Sequence, residues 1–288
     1  MLTLLLAATG TSVTHAQEGG IEIFAGETLF EQGTRLSISH IYKAKGSLYR
    51  GSSEVANPTD RESSEQRLVL GWNYGLRPRV TVGALLPVVD PESRSNTTTL
   101  GDSGIGDLAA FGKLRLYTSD SYRRSYNLSL VAGVETPTGR TGLVGPQPGS
   151  GSWDPFAAFA FTDSIRRWRF DAQVFYKWNT EGTDSYADSD VFSLGVTAAY
   201  RYLHRPYPGV SNNAKLGLLW KEEGRASSHG VADPDSGSHQ LILRPGLGFH
   251  PIPAIDLSIR VDIPIYQHFE GEQLGLDYRT ILAFGYRF

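Results

Sequence analysis

Three sets of residues in this chain have types and spacings that could carry chemistry. Ser227 and His229 stand two apart, so on an extended strand they share a face, as a hydroxyl nucleophile and its imidazole base require. They lie in a polar stretch between Arg225 and Gly230, while Ser39 and His40, being adjacent, point to opposite faces. A barrel-embedded hydrolase built on Ser227 and His229 is therefore a third reading, behind two without catalysis. Gly101-Asp102-Ser103-Gly104-Ile105-Gly106-Asp107 has the glycine content of a phosphate-cradling loop, but such a loop needs a strand before it and a helix after it. Here a strand pattern follows, and the stretch reads as a loop entering that strand. Asp184, Asp188 and Asp190, with Asp233 and Asp235, offer oxygen ligands to Ca²⁺. They lack the ordered ligand run of a cation site and read as solvated loop charges. No metal and no cofactor is expected, and the chain is not expected to be an enzyme.

The elements that would position these residues are strands. In the last stretch Leu282, Phe284, Tyr286 and Phe288 fall on one side, and Ala283, Gly285 and Arg287 on the other. An alternating strand that stops on a terminal Phe resembles the C-terminal assembly signal of bacterial outer-membrane barrels. Leu2 to Ala8 is an apolar run too short to span a bilayer, and Thr14-His15-Ala16 places small residues where a signal peptidase reads. A secretory signal cut after Ala16 is expected. The missing basic n-region suggests a start site placed too late in the gene. With 288 residues, 32 Gly, 11% aromatic and 40% hydrophobic residues, and a mean hydropathy of -0.25, the chain is too polar for membrane helices and suits a barrel with a wet lumen. Zero Cys excludes disulfides and thiolate metal sites, and a net charge of -3 does not suggest a nucleic-acid partner.

From residue 34 onward, alternation predicts twelve strands near 35-43, 66-74, 79-87, 106-117, 125-135, 155-162, 167-178, 190-203, 213-221, 239-249, 255-266 and 276-288. The clearest runs from Arg167 to Trp178, where Trp168, Phe170, Ala172, Val174, Tyr176 and Trp178 alternate with Arg167, Arg169, Asp171, Gln173, Phe175 and Lys177. Connections alternate in length, with tight turns such as Gly75-Leu76-Arg77-Pro78, Ser119-Asp120 and Pro251-Ile252-Pro253-Ala254 between longer stretches such as 44-65 and 136-154. The expected fold is all-β: a transmembrane antiparallel β-barrel of about twelve strands, with short periplasmic turns and long extracellular loops, in the outer membrane of a Gram-negative-type bacterium. The expected domains are a signal peptide (1-16), an N-terminal periplasmic arm or plug (17-33) and the barrel (34-288). Pro245, in mid-strand, predicts a bulge or a bend toward the lumen.

The face opposite the apolar one should line the lumen. By parity it carries Lys113, Arg115, Arg167, Arg169, Lys177, Arg201, Lys215, Arg244, Arg260 and Arg279 against Asp107, Glu135, Asp171, Asp262 and Asp277. A basic wall would raise the local concentration of anions, unless Arg and Asp pair across neighbouring strands and cancel the field.

Three stretches suggest a family. Gly26-Glu27-Thr28-Leu29-Phe30-Glu31-Gln32-Gly33 leads into Leu36-Ser37-Ile38-Ser39-His40; Gly104-Ile105-Gly106-Asp107-Leu108 leads into Lys113-Leu114-Arg115-Leu116; and Glu135-Thr136-Pro137-Thr138-Gly139 stands alone. Together with the barrel pattern these resemble the outer-membrane proteins grouped with the MetA pathway of phenol degradation, over most of the mature chain. Gly75-Leu76-Arg77-Pro78-Arg79 departs from the acidic turn such proteins often carry. The resemblance implies a transporter of aromatic or other hydrophobic small molecules and brings no catalytic or ligand residues with it. The expected function is passive passage of small, aromatic or anionic, solutes. A plugged structural or assembly-related barrel is the alternative. Expected partners are outer-membrane lipid, the barrel assembly machinery and a small-molecule solute.

Overall fold

Each of the twelve predicted segments forms a strand, with bulges that interrupt the alternation at Leu116, Tyr202 and Ile265. The computed structural model describes residues 24-141, 146-182, 185-205 and 209-288; the expected signal segment and residues 17-23 lie outside them. The barrel strands are β1 (Thr34–Lys45), β2 (Glu62–Arg77), β3 (Val80–Ser95), β4 (Ala109–Ser121), β5 (Arg124–Glu135), β6 (Asp154–Ile165), β7 (Trp168–Lys177), β8 (Val191–His204), β9 (Ser211–Glu223), β10 (Ser238–His250), β11 (Ile255–Leu274) and β12 (Tyr278–Arg287). Each pairs antiparallel with its sequence neighbours, and β1 pairs with β12 from Arg35↔Arg287 to Ala44↔Tyr278, which closes the sheet. Closure satisfies every strand edge where no water can, so a sheet whose outer face is apolar can cross a bilayer. Among the described residues there is no α-helix.

The two faces separate as the pattern requires. On β7 and just past its end, Trp168, Phe170, Val174 and Trp178 are 47, 41, 44 and 47% exposed toward the surroundings of the barrel, whereas Asp171, Gln173, Phe175 and Lys177 are 4, 2, 1 and 1% exposed. On β12 the outward row is Leu282, Phe284 and Tyr286, with Phe288 following it. Stacked or tilted aromatic pairs hold the outer rows together, among them Trp72 with Tyr74, Trp168 with Tyr200 and Trp220 with Tyr266. Rings of this kind gather where hydrocarbon meets headgroups.

The strands outrun their predicted lengths toward the extracellular side. β2 and β3 have 16 residues each and β11 has 20, against the roughly 9 to 11 that a bilayer needs. Above the membrane both faces meet water, so alternation stops there although pairing continues. The loops are ordered too. Leu48–Gly51 pairs with Ser53–Val55 and docks on the far end of β11, and Tyr186–Ala187, Ser227–Ser228 and Val231–Ala232 form a small three-stranded sheet. The turn predicted at Ser119-Asp120 sits three residues later, at Tyr122-Arg123, because β4 runs on to Ser121. At Pro245 the register is unchanged on both sides, but the ladder to β11 passes from Leu243↔Ile263 to Gly246↔Arg260 without a pair between them. The proline makes a gap there rather than a bulge.

Candidate functional site

Residues 24-33 run inside the barrel. The segment leaves β1 at the periplasmic rim, where the Gln32 N–H donates to the Gly75 carbonyl at 2.7 Å and the Gly75 N–H to the Gly33 carbonyl at 2.9 Å. It then climbs to mid-lumen. Wall side chains hold its backbone at each step: Thr81 accepts from the Leu29 N–H (2.9 Å), Thr162 from Gly26 (2.9 Å) and Gln173 from Phe24 (2.7 Å). The Ser129 hydroxyl donates to the Gly26 carbonyl at 2.5 Å, and Lys113 Nζ donates to the carbonyls of Ala25 and Glu27 at 3.1 and 3.0 Å. A Cβ on residue 26 would stand 2.3 Å from the Asn127 carbonyl oxygen, so only glycine passes there. Glu27 takes both oxygens to Arg169 Nη1 at 2.9 Å. Phe24 is fully buried, edge-on to Phe111 with centroids 5.5 Å apart, in a cluster with inward-facing Val131, Phe156 and Phe175. The lumen therefore has an apolar band at mid-height, which parity had shown only as the lone Phe175.

Most lumen-lining residues expected from the sequence lie in the interior. Lys113, Glu135, Asp171, Lys177, Lys215, Arg244, Arg260 and Asp262 are all buried there. Arg115, Arg169 and Arg279 are half-buried, and Arg167 and Arg201 stand exposed at the periplasmic rim. Asp277 is a correction: β12 begins only at Tyr278, and the carboxylate is exposed in the connection before it, not in the lumen. Charges pair as the cancelling alternative described. Asp262 is shared by Arg244 (3.3 Å), Arg260 (2.6 Å) and Arg279 (2.8 Å). Lys177 meets Glu135 at 3.0 Å, and Arg169 meets Asp171 at 2.8 Å. Arg35, Glu65, Arg67, Asp154 and Asp163 are further buried charges that the sequence reading missed. Glu65 and Asp154 lie where strands rise past the membrane, and extending each alternation by two residues would have found them.

The glycine-rich stretch and the Pro-Thr-Gly stretch meet at the extracellular end. Asp107 accepts from the Gly139 N–H (2.8 Å) and from the N–H and hydroxyl of Ser150 (2.6 and 2.8 Å), while the Leu108 N–H donates to Thr138 Oγ1 at 2.9 Å. A Cβ on Gly139 would stand 2.6 Å from the Gly149 Cα. This is a clasp between two loops. The other loop groups are similarly engaged: Asp190 accepts from Tyr176 Oη and the Asn179 N–H, and Asp235 from the Glu272 N–H. Burial pushes the Asp188 carboxyl up to about 6 against the pull of Lys177, with Asp154, Glu223 and Asp107 pushing the same way. Asp184 lies outside the described residues. His229 has its Nδ1 3.1 Å from the Ser228 hydroxyl, not that of Ser227.

Below the arm the lumen opens into a periplasmic vestibule, a cavity of about 600 Å³ roofed by Glu27 and Thr28 and lined by the strand ends around the short turns.

Comparison with solved structures returns barrels of the same architecture. An outer membrane channel from Pseudomonas putida F1 superposes with a TM-score of 0.66 at 18% identity, covering 91% of this chain and 97% of that one. The beta domain of the Bordetella autotransporter Brka gives 0.50 at 13% identity, covering 90% and 100%. These likenesses show the fold. No curated protein matches the chain. With its apolar outer belt and closed sheet the protein is a bacterial outer-membrane barrel. The model of the family described as "Putative MetA-pathway of phenol degradation" matches residues 46-278, and the chain belongs to that family.

Proposed function

We propose that the barrel is a passive channel for small solutes bearing an aromatic or similar apolar group, gated by residues 24-33. The observation that carries this reading is the seat of Phe24. Its ring fills an apolar band made by Phe111, Val131, Phe156 and Phe175, while Gln173 holds its N–H and Lys113 the carbonyl of Ala25 beside it. A solute ring of about that size would take the same surface when the arm withdraws, and the wall groups released from the arm would turn to water. The family's description names phenol degradation and the Pseudomonas putida F1 structure is called a channel; both point the same way. Basic residues at the periplasmic mouth favour solutes that also carry negative charge. No catalysis is involved.

The bonds along the arm also favour a second reading, in which it is a permanent plug and the barrel has a structural or assembly-related role without transport. Deleting residues 17-31 and recording single-channel conductance in a planar bilayer separates the two. A gated channel gives a large rise in conductance. A barrel that still shifts on an unboiled gel yet stays silent is structural. On either reading we assign β12 and Phe288 as the segment read by the barrel assembly machinery, and Phe288→Ala should lower the yield of folded protein in the outer membrane.

A further inference from the structure

The vestibule below the arm carries a surplus of positive charge. Eight Arg or Lys residues line that cavity against three carboxylates. The carboxylates are already engaged: Glu27 by Arg169, Asp256 by Arg35 at 2.9 Å, and Asp120 by the Ser125 hydroxyl at 2.6 Å. Arg167 and Arg201 make no ion pair with any described residue, and they sit side by side, since the Arg201 N–H donates to the Arg167 carbonyl at 2.8 Å. Like charges placed directly across a ladder repel. Arg166 beside them holds a φ of 54°, a left-handed conformation that Gly or Asn would take more easily. Both side chains are exposed to the vestibule, and two neighbouring guanidinium forks match the paired oxygens of a carboxylate or phosphate.

We infer that the periplasmic vestibule is a binding site for a small oxyanion, a carboxylate or a phosphate group, held chiefly by Arg167 and Arg201. The arm closes the cavity on the extracellular side, so the ligand enters and leaves from the periplasm whether or not the barrel conducts. At about 600 Å³ the space admits an organic acid of the usual ligand size. Either a free anion or a phospholipid headgroup of the inner leaflet could supply the oxyanion.

Calorimetric titration of the full barrel in phosphatidylcholine nanodiscs with inorganic phosphate, and separately with benzoate, tests this. Saturable binding of at least one anion is expected, weakening as KCl is raised. The double variant Arg167→Gln, Arg201→Gln should bind roughly tenfold more weakly, the loss expected for two charge-assisted contacts, while keeping its gel shift. Arg94→Gln, at the opposite end of the barrel, should bind as the parent does. Loss of the titration only in discs containing phosphatidylglycerol keeps the site and names the headgroup as its ligand. No saturable binding of either anion by the parent, or equal binding by parent and double variant, overturns the inference.

Discussion

Gln173 and Val174 are adjacent, and changing either to Arg should fail in a different way. Val174 faces lipid, and an arginine near the midplane costs about 2-4 kcal/mol, so Val174→Arg should reduce the folded, unboiled-gel form. Gln173 faces the lumen and accepts the Phe24 N–H. Gln173→Arg should therefore insert normally but loosen the arm, and show openings in a planar bilayer that the parent lacks. Equal loss of folded barrel in both would mean that the arm, not the wall, carries stability at this height. Lys113 gives a graded version of the same test. Its Nζ makes two bonds to arm carbonyls, and hydrogen bonds to charged groups contribute about 1.5-3 kcal/mol each. Lys113→Ala should raise the open fraction by an order of magnitude or more. Asp188 sets a pH dependence. Its folded value of about 6 lies above the ordinary 3.8, so the ordered loop binds the proton more tightly than the open one and loses stability as pH rises from about 4 to 6. Relative to the intrinsic base-catalysed rate, amides at residues 185-190 should be better protected at pH 5 than at pH 8, and Asp188→Asn should erase that difference in protection.

Strands were legible where one face meets lipid and the other the lumen, because that difference alone produces a period of two. All twelve elements announced themselves this way, and β7 did so without interruption. Beyond the membrane the pattern ends while the backbone continues, which is why β2, β3 and β11 were read short and Glu65 was missed. The arm was legible only as a stretch without alternation, an arm or a plug. Residues 24-33 hold to the wall through backbone groups and through the Phe24 and Glu27 side chains, and these contacts leave no periodicity. The family motifs were visible as strings but not as a pair, since residues 107 and 139 meet only once the loops fold. That pairing carries a prediction at this scale. Asp107→Ala strands three donors that the carboxylate now accepts, at a cost of about 1-3 kcal/mol for an unsatisfied buried group. The loop between β5 and β6 should then become open to protease on intact cells, while the barrel still runs as a folded species on an unboiled gel. Resistance equal to that of the parent would show that the clasp is not what orders these loops.

For the molecule as a whole, the sum of charge says little and its placement says more. The chain is slightly acidic, with a net charge of -3, yet a surplus of positive charge is gathered at the periplasmic mouth, where eight cations face three carboxylates. Once the arm is removed, every permeating ion must pass that ring. Fixed charge in a narrow passage enriches counter-ions within a Debye length, about 10 Å at 0.1 M salt and about 3 Å at 1 M. The 17-31 deletion should therefore prefer anions in dilute KCl, with a reversal potential of the anionic sign across a tenfold gradient, and lose most of that preference near 1 M. Adding Arg167→Gln and Arg201→Gln should halve the dilute-salt preference or more. Arg260→Glu should do little at the mouth, because that residue lies in the buried cluster around Asp262, but it should impair folding. A cation preference in dilute salt, or a selectivity unmoved by the two rim substitutions, would place the controlling charges in the paired upper lumen and remove the vestibule from the permeation path.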